Sequence, residues 1–514
     1  MKKIQYILSG ALLLTSLSGC DKGFEEINRN PVQSTIIDPT YLFSNAQFST
    51  TLAAQTIMYE ESIVQQIITP FGGVNNGGNY NQDNRTNTMV NWNFFFSGTG
   101  NGNSGPVKLL ADVMNQTKAD ANRSNLYNMS RIWRAYVFQV LVDTYGDVPY
   151  SQAGQAYLQS TYLPKYDSQQ DIYNDLLNEL DQATAALDPA KRVETGDLFY
   201  KGNIAQWKRL GYSLMLRVAM RLSKVDAAKA QSFVQKAVAG GVMQSNDDNV
   251  KIQYTSIFTS PTSGLWNGTE KANFYLAQPF VSYLKQTNDP RLKVIATKYA
   301  EPSKDPSGTT EDNTPANQIG FPLGYDNGSI INAPGYPGNV GSGGWKYSQL
   351  NRRTVAKVDA PQHYITYAQT QLLLAEAAQR GWTTGSAADF YKAGVTAHMN
   401  QMKEYDASAT IAAADITAYL TANPFDASKA LEQINTQYWV ASFLNGPEAF
   451  ANFRRSGFPV LTPNPYPGKT IAGAFIRRLT YPLSEKSVNA DNYNAAVTRQ
   501  GADDLDTRVF WDKQ

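Results

Sequence analysis

Cys20 is the only cysteine in this chain of 514 residues. Whatever the chain folds into, it cannot close an internal disulfide, so its stability must come from a core, and a chain this long buries a large one. The residues before Cys20 add a second constraint. Lys2 and Lys3 open the sequence, a mostly apolar run follows from Ile4 to Leu17, and small residues lead to the cysteine. This is the layout of a secretory signal peptide over residues 1–19. The run falls short of the ~20 residues that span a bilayer.

Leu17-Ser18-Gly19-Cys20 also resembles the lipobox of bacterial lipoproteins. That resemblance implies cleavage before Cys20 and acylation of its thiol and amine, because several acyl chains anchor far better than one. Lys+Arg of 45 against Asp+Glu of 44 leaves no net field. A nucleic-acid partner, which needs a basic surface, is therefore not expected.

Residues 20–38 read as an exposed leader, and 39–514 as a single domain. A helical pattern is expected from Pro39 to Ile68. The tract from Gly72 to Gly105 holds ten Asn between Asn75 and Asn103. It reads as a long turn-rich loop, although Trp92-Asn93-Phe94-Phe95-Phe96 argues against simple disorder. Apolar residues at helical spacing then predict helices through Ile132–Leu141, Tyr173–Leu187 (capped by Asp167 with Gln170), Trp207–Val218 and Ala227–Ala239 (Asp226 as cap). The pattern resumes at Ile365–Gln379 and Ala387–Met402. A last run, Ala427–Leu444, is started by Asp426 and stopped by Gly446-Pro447. Helices in antiparallel pairs resemble a tetratricopeptide array. The expected fold is mainly α: a tetratricopeptide-like helical repeat frame at about 39–245 and 361–460. Between the two lies a loop-rich insert at about 250–360 with a few short strands, such as Val250–Tyr254.

The sequence offers little catalytic machinery. His363 and His398 are its two histidines, with no second ligand at zinc spacing. No Gly-x-Ser-x-Gly elbow or phosphate-cradling Gly-x-x-x-x-Gly-Lys-Ser/Thr loop occurs. Asn246-Asp247-Asp248-Asn249 reads as a solvated turn rather than a calcium site. No cofactor is expected. The composition instead holds 30 Tyr, 22 Phe and 8 Trp. Aromatic faces stack on the apolar faces of sugar rings while polar side chains meet the hydroxyls. Candidates on Gly- and Asn-rich loops are Trp92 and Phe94, Trp266 and Asn267, and Trp345 and Tyr347. Trp133, Trp207 and Trp439 lie on helix faces and are expected in the core.

Several landmarks, in order, resemble the SusD/RagB family of outer-membrane nutrient-binding lipoproteins, and most closely its starch-binding-associating branch. They are Asp21-Lys22-Gly23-Phe24-Glu25-Glu26-Ile27-Asn28-Arg29-Asn30-Pro31 and Tyr145-Gly146-Asp147-Val148-Pro149-Tyr150. Next come Gly196-Asp197-Leu198-Phe199-Tyr200-Lys201-Gly202-Asn203 with Trp207, then Phe453-Arg454-Arg455-Ser456-Gly457-Phe458-Pro459. Arg477-Arg478-Leu479-Thr480-Tyr481-Pro482 closes the series. The resemblance implies a non-enzymatic, surface-exposed protein that binds oligosaccharide and hands it to a SusC-like TonB-dependent β-barrel transporter. Arg454 and Arg455 are expected to hold carboxylates or carbonyls within the fold. A lipid-anchored glycoside hydrolase, a structural lid without its own ligand, and a peptide-binding homologue are the alternatives.

Overall fold

The computed structural model describes residues 37–513 except 53, 72–79, 99–103, 263–265, 267, 269 and 342. The signal peptide, the acylation site Cys20 and almost all of the leader lie outside the described residues, as does Asn267. All elements below belong to the unit Pro39–Gln514.

The helix Ser124–Tyr145 is the hub. Ile132, Trp133, Tyr136, Val137, Val140 and Leu141 are all buried, and Trp133 stacks on Tyr136 at 4.5 Å. Burial on nearly every side fits a helix inside a multi-helix stack. The helix stops at Gly146, whose φ of 81° is open to glycine at little cost. Around it the helices pack in neighbours: Gln169–Ala185 on the hub, Ile204–Arg221 against Ala227–Gly240, Tyr367–Gln379 against Ala387–Gln401, and Ala430–Ala441 beside Gly446–Ser456. Trp133, Trp207 and Trp439 are buried in their shared core.

Side-chain caps set most of these helix starts. Asn203 accepts from the N–H groups of Ala205 and Gln206, and Asp226 from that of Lys229. Thr366 and Gln369 form a reciprocal capping box. The cap at 169 falls on Ser168, which accepts from Asp171 N, and not on Asp167 with Gln170. Asp167 is engaged elsewhere: its residue pairs with Val148 in a two-stranded ladder, and its carboxylate accepts from Ser151 N at 2.8 Å. Gly446-Pro447 likewise opens the helix Gly446–Ser456 instead of ending its predecessor. Proline tolerates the first turn because its missing N–H would have no partner there. The preceding run splits into a single turn, Ala427–Lys429, and the helix Ala430–Ala441.

The Asn-rich tract contains two short helices, Arg85–Thr88 and Val90–Phe96. The insert carries the expected short strands. Val250–Ile252 pairs antiparallel with Gln362–Ile365, and Ala296–Tyr299 lies between Glu311–Asp312 and Gln349–Leu350. It also holds a helix that the loop-rich reading omitted, Gln278–Gln286, whose Phe280, Val281 and Leu284 are buried. Asn246–Asp248 is a capped turn with Asp247 exposed, as expected, but Asp248 is buried and paired with Arg209. No described helix is long and apolar enough to cross a membrane.

Candidate functional site

Besides the main core, the chain forms a second, smaller apolar cluster within the insert. Tyr275, Phe321, Ile330, Trp345 and Tyr347 are buried there beside Ile68, and Phe71, Tyr325 and Tyr336 pack on it half-exposed. Backbone geometry explains why Trp345 sits where it does. Asn339 and Trp345 form an antiparallel bridge, and Lys346 N donates to Gly338 O at 3.0 Å, which sets 338–339 alongside 345–346. Gly344 takes a φ of 93°, and a Cβ there would lie 2.6 Å from the Tyr275 hydroxyl. Only glycine allows that approach. The same hydroxyl donates to Ala272 O at 2.6 Å and accepts from Trp345 N at 3.1 Å.

Phe71 brings a second segment to the cluster, its ring 5.5 Å from that of Trp345. The segment is tied down at its base. Asn327 N donates to Pro70 O at 2.8 Å, and the Tyr80 hydroxyl donates to the same oxygen at 2.6 Å. Tyr80 stacks on Tyr466 at 4.1 Å, and Tyr466 in turn donates to Asp326 at 3.2 Å. Asp326 accepts from Ser329 Oγ, Ser329 N and Gly328 N, and these donors hold its carboxyl below the usual range. The patch thus presents Phe71, Tyr325 and Tyr336 over the buried Trp345, rimmed by the exposed Asn327, Asn339 and Lys346. Aromatic faces with an amide and ammonium rim suit an uncharged polyhydroxylated ring: the faces take its C–H surface and the rim its hydroxyls.

The structure therefore joins Trp345 and Tyr347 in one patch and places the other candidates apart. Trp92 is buried among Phe96, Tyr145, Tyr166 and Tyr481, with ring separations of 4.8 to 5.9 Å. Phe94 is half-buried against the main core. Trp266 is buried in the main core, and its indole N–H has no partner among the described residues. Phe71, Tyr325 and Tyr336 were missed from the sequence. Tyr325 stands between Gly324 and Asp326-Asn327-Gly328, and Tyr336 between Pro334-Gly335 and Pro337-Gly338. The rule that selected Trp345 after Gly343-Gly344 selects both once a tyrosine is accepted without a tryptophan beside it.

The two histidines serve the frame. His363 Nε2 lies 2.9 Å from Glu404, and His398 Nδ1 lies 2.8 Å from Arg291. Among the described residues no group of three His, Cys, Asp or Glu is placed to hold a metal. One further concavity, about 390 Å³, lies on the helical frame between Lys118, Tyr127, Arg134, Tyr150, Asp175 and Glu179. Its walls mix charged, polar and apolar side chains, and the Arg134 guanidinium lies over the rings of both Phe138 and Tyr150.

The profile of the family described as SusD-like, starch-binding and associating with the outer membrane matches residues 31–482. Among solved structures, a chitin-binding protein is 31% identical with a TM-score of 0.80, covering 93% of this chain and all of its own. A SusD-like protein from Bacteroidetes is 27% identical with a TM-score of 0.82 over the same shares. A chitin-binding SusD homologue from Flavobacterium johnsoniae is 24% identical with a TM-score of 0.75, covering 93% of this chain and 99% of its own, a likeness of fold. No curated protein sequence matches the chain.

Proposed function

The chain belongs to the SusD-like family, and from that membership we propose that it is a lipid-anchored, surface-exposed outer-membrane protein that captures oligosaccharide and delivers it to a TonB-dependent β-barrel transporter. The observation that carries the ligand half of this reading is the aromatic patch of Phe71, Tyr325, Tyr336 and Trp345 with its polar rim. The helical frame holds the patch, and the insert at about 250–360 supplies most of it. We read the protein as a binding protein, as its named relatives are, and not as a hydrolase. The anchor and the transporter rest on the lipobox and on the family resemblance.

Family membership suggests an α-glucan, whereas the relative at 31% identity binds chitin. Identity at that level over 93% of the chain favours chitin oligosaccharides as the first ligand. Titration calorimetry with chitohexaose and maltohexaose tests this. Binding of chitohexaose is expected, weakened up to about tenfold by Phe71→Ala or Tyr325→Ala, since one aromatic contact contributes ~0.5–1.5 kcal/mol. Trp92→Ala is expected to lower stability by about 3–5 kcal/mol and leave the affinity of the folded protein unchanged. Failure of both sugars to bind, or loss of binding in Trp92→Ala alone, contradicts the reading.

A further inference from the structure

The phenols of the patch differ in one respect. Tyr275 places its hydroxyl on Ala272 O and Trp345 N, Tyr336 on Asn339, and Tyr466 on Asp326. Tyr347 does not. Its side chain is buried at 3% exposure, and its hydroxyl has no hydrogen-bond partner among the described residues. The ring is well packed, 4.9 Å from Phe321 and 6.4 Å from Tyr275. Phenylalanine would fill the same space without a desolvated O–H. A buried hydroxyl left unpaired weakens the fold unless something else satisfies it.

We propose that the Tyr347 hydroxyl is the specificity-determining donor of the patch, reading the carbonyl oxygen of a 2-acetamido group on the bound sugar. This deepens, and rests on, the reading of the patch as an oligosaccharide site. Burial, with Tyr336 and Tyr325 nearby, pushes the phenol up to about 12, so it keeps its proton and donates at neutral pH. Ile68, Phe321, Ile330 and Ala333 belong to the same cluster and are apolar. One donor in an apolar floor is complementary to an acetamide, which offers a carbonyl acceptor beside a methyl group. The 2-hydroxyl of a glucose unit fits worse, because its own O–H would be buried there without an acceptor. A site built around one buried donor rejects the analogue that leaves it unpaired. Tyr336 lies on a turn whose Gly335 and Gly338 have φ of 72° and 94°, and its hydroxyl is held by the exposed Asn339. For the sugar to reach the buried hydroxyl, Tyr336, whose phenol acts on that of Tyr347, has to shift on binding.

Full-length protein in detergent, wild type and Tyr347→Phe, is titrated by calorimetry at pH 7 with chitohexaose and with cellohexaose, which differ at the 2-position. The melting temperature of each protein is measured alongside. The expected result is that Tyr347→Phe weakens chitohexaose at least tenfold, to the level of wild-type cellohexaose, leaves cellohexaose unchanged, and melts no lower than wild type. Equal affinity of both proteins for chitohexaose overturns the inference and leaves the proposed function standing. So does an equal loss for both sugars, or a drop in melting temperature that marks the hydroxyl as structural. If wild type binds neither hexasaccharide, the proposed function itself fails and the inference with it.

Discussion

Arg455 shows at the level of one side chain how a core without disulfides is held. Its guanidinium grips both oxygens of Glu376, at 2.8 and 2.7 Å, and both residues are buried. Burial alone would raise the Glu376 carboxyl, but Arg455 and Arg380 outweigh it and hold it down to about 2, against an ordinary 4.5. A depressed folded value means that the pair's stability is fully present above the unfolded value and is lost as pH falls from 4.5 toward 2. Arg455→Met leaves the carboxylate with Arg380 as its one cation and the Asn435 amide as a further donor. It is expected to cost about 3 kcal/mol at pH 7, read from denaturant unfolding, with the difference from wild type shrinking in that acid window. Glu61 has the opposite sign. It is buried, and burial pushes its carboxyl well above 4.5 even though the backbone N–H groups of Leu444 and Asn445 lie beside it and act to lower it. Here stability is fully present below the unfolded value and is lost as pH rises through the folded one. Glu61→Gln is therefore expected to raise the unfolding midpoint at pH 8 and change little at pH 4. A lower midpoint at pH 8 would show that the ionised form is the one the core accommodates. The sequence marked Arg454 and Arg455 as structural because a planar multi-donor group suits carboxylates and carbonyls. Arg454 indeed spends its donors on the carbonyls of Phe450, Arg477 and Asp143. It could not mark Glu61, because nothing local distinguishes a buried glutamate from an exposed one.

At the level of elements, helix bodies were legible and helix ends less so. Hydrophobic spacing located the helices ending at Tyr145, Ala185, Arg221, Gly240, Gln379 and Gln401; Gln169–Ala185 and Ala227–Gly240 bury the expected stripe, whereas Ser124–Tyr145 and Tyr367–Gln379 are buried on nearly every side. Ends depend on which neighbour takes the capping side chain, and that is tertiary information. Asp167 was drawn into a ladder, leaving Ser168 as cap. Gly446-Pro447 matches both a stop and a start, and packing decides: a Cβ on Gly446 would lie 2.9 Å from Ile57 O. Asn445 caps this start, and its amide also donates to Tyr364 O at 3.1 Å and His363 O at 3.3 Å. It thereby joins the helix 446–456 to the strand 362–365. Asn445→Ala is expected to destabilise the protein by about 1–2 kcal/mol by thermal or chemical unfolding. Loss of less than a few tenths would mean that water replaces these bonds. The aromatic patch was half legible for the same reason. Glycine turns flagged Trp345 and Tyr347, but convergence with Phe71, which lies on the far side of the first helical block in sequence, is set by the pairing of Ile67–Ile68 with Tyr275–Leu276, two residues a side. Strands that short leave no periodic signal.

At the level of the whole molecule, a helical frame carries an aromatic loop face, and the proposed lipid anchor would tether both to the outer membrane. Cys20→Ala is expected to release the protein from the membrane fraction on detergent partitioning while leaving its melting curve unchanged, because Cys20 precedes the unit that begins at Pro39. Continued membrane attachment would contradict acylation at this residue. The central claim concerns where sugar binds, and a crystal structure of the chain with chitohexaose tests it most directly. The account predicts sugar rings lying across Phe71 and Tyr325, with hydroxyls on Asn327 or Asn339. Sugar seated instead in the frame cleft beside Arg134 and Asp175, with the aromatic patch bare, would contradict it.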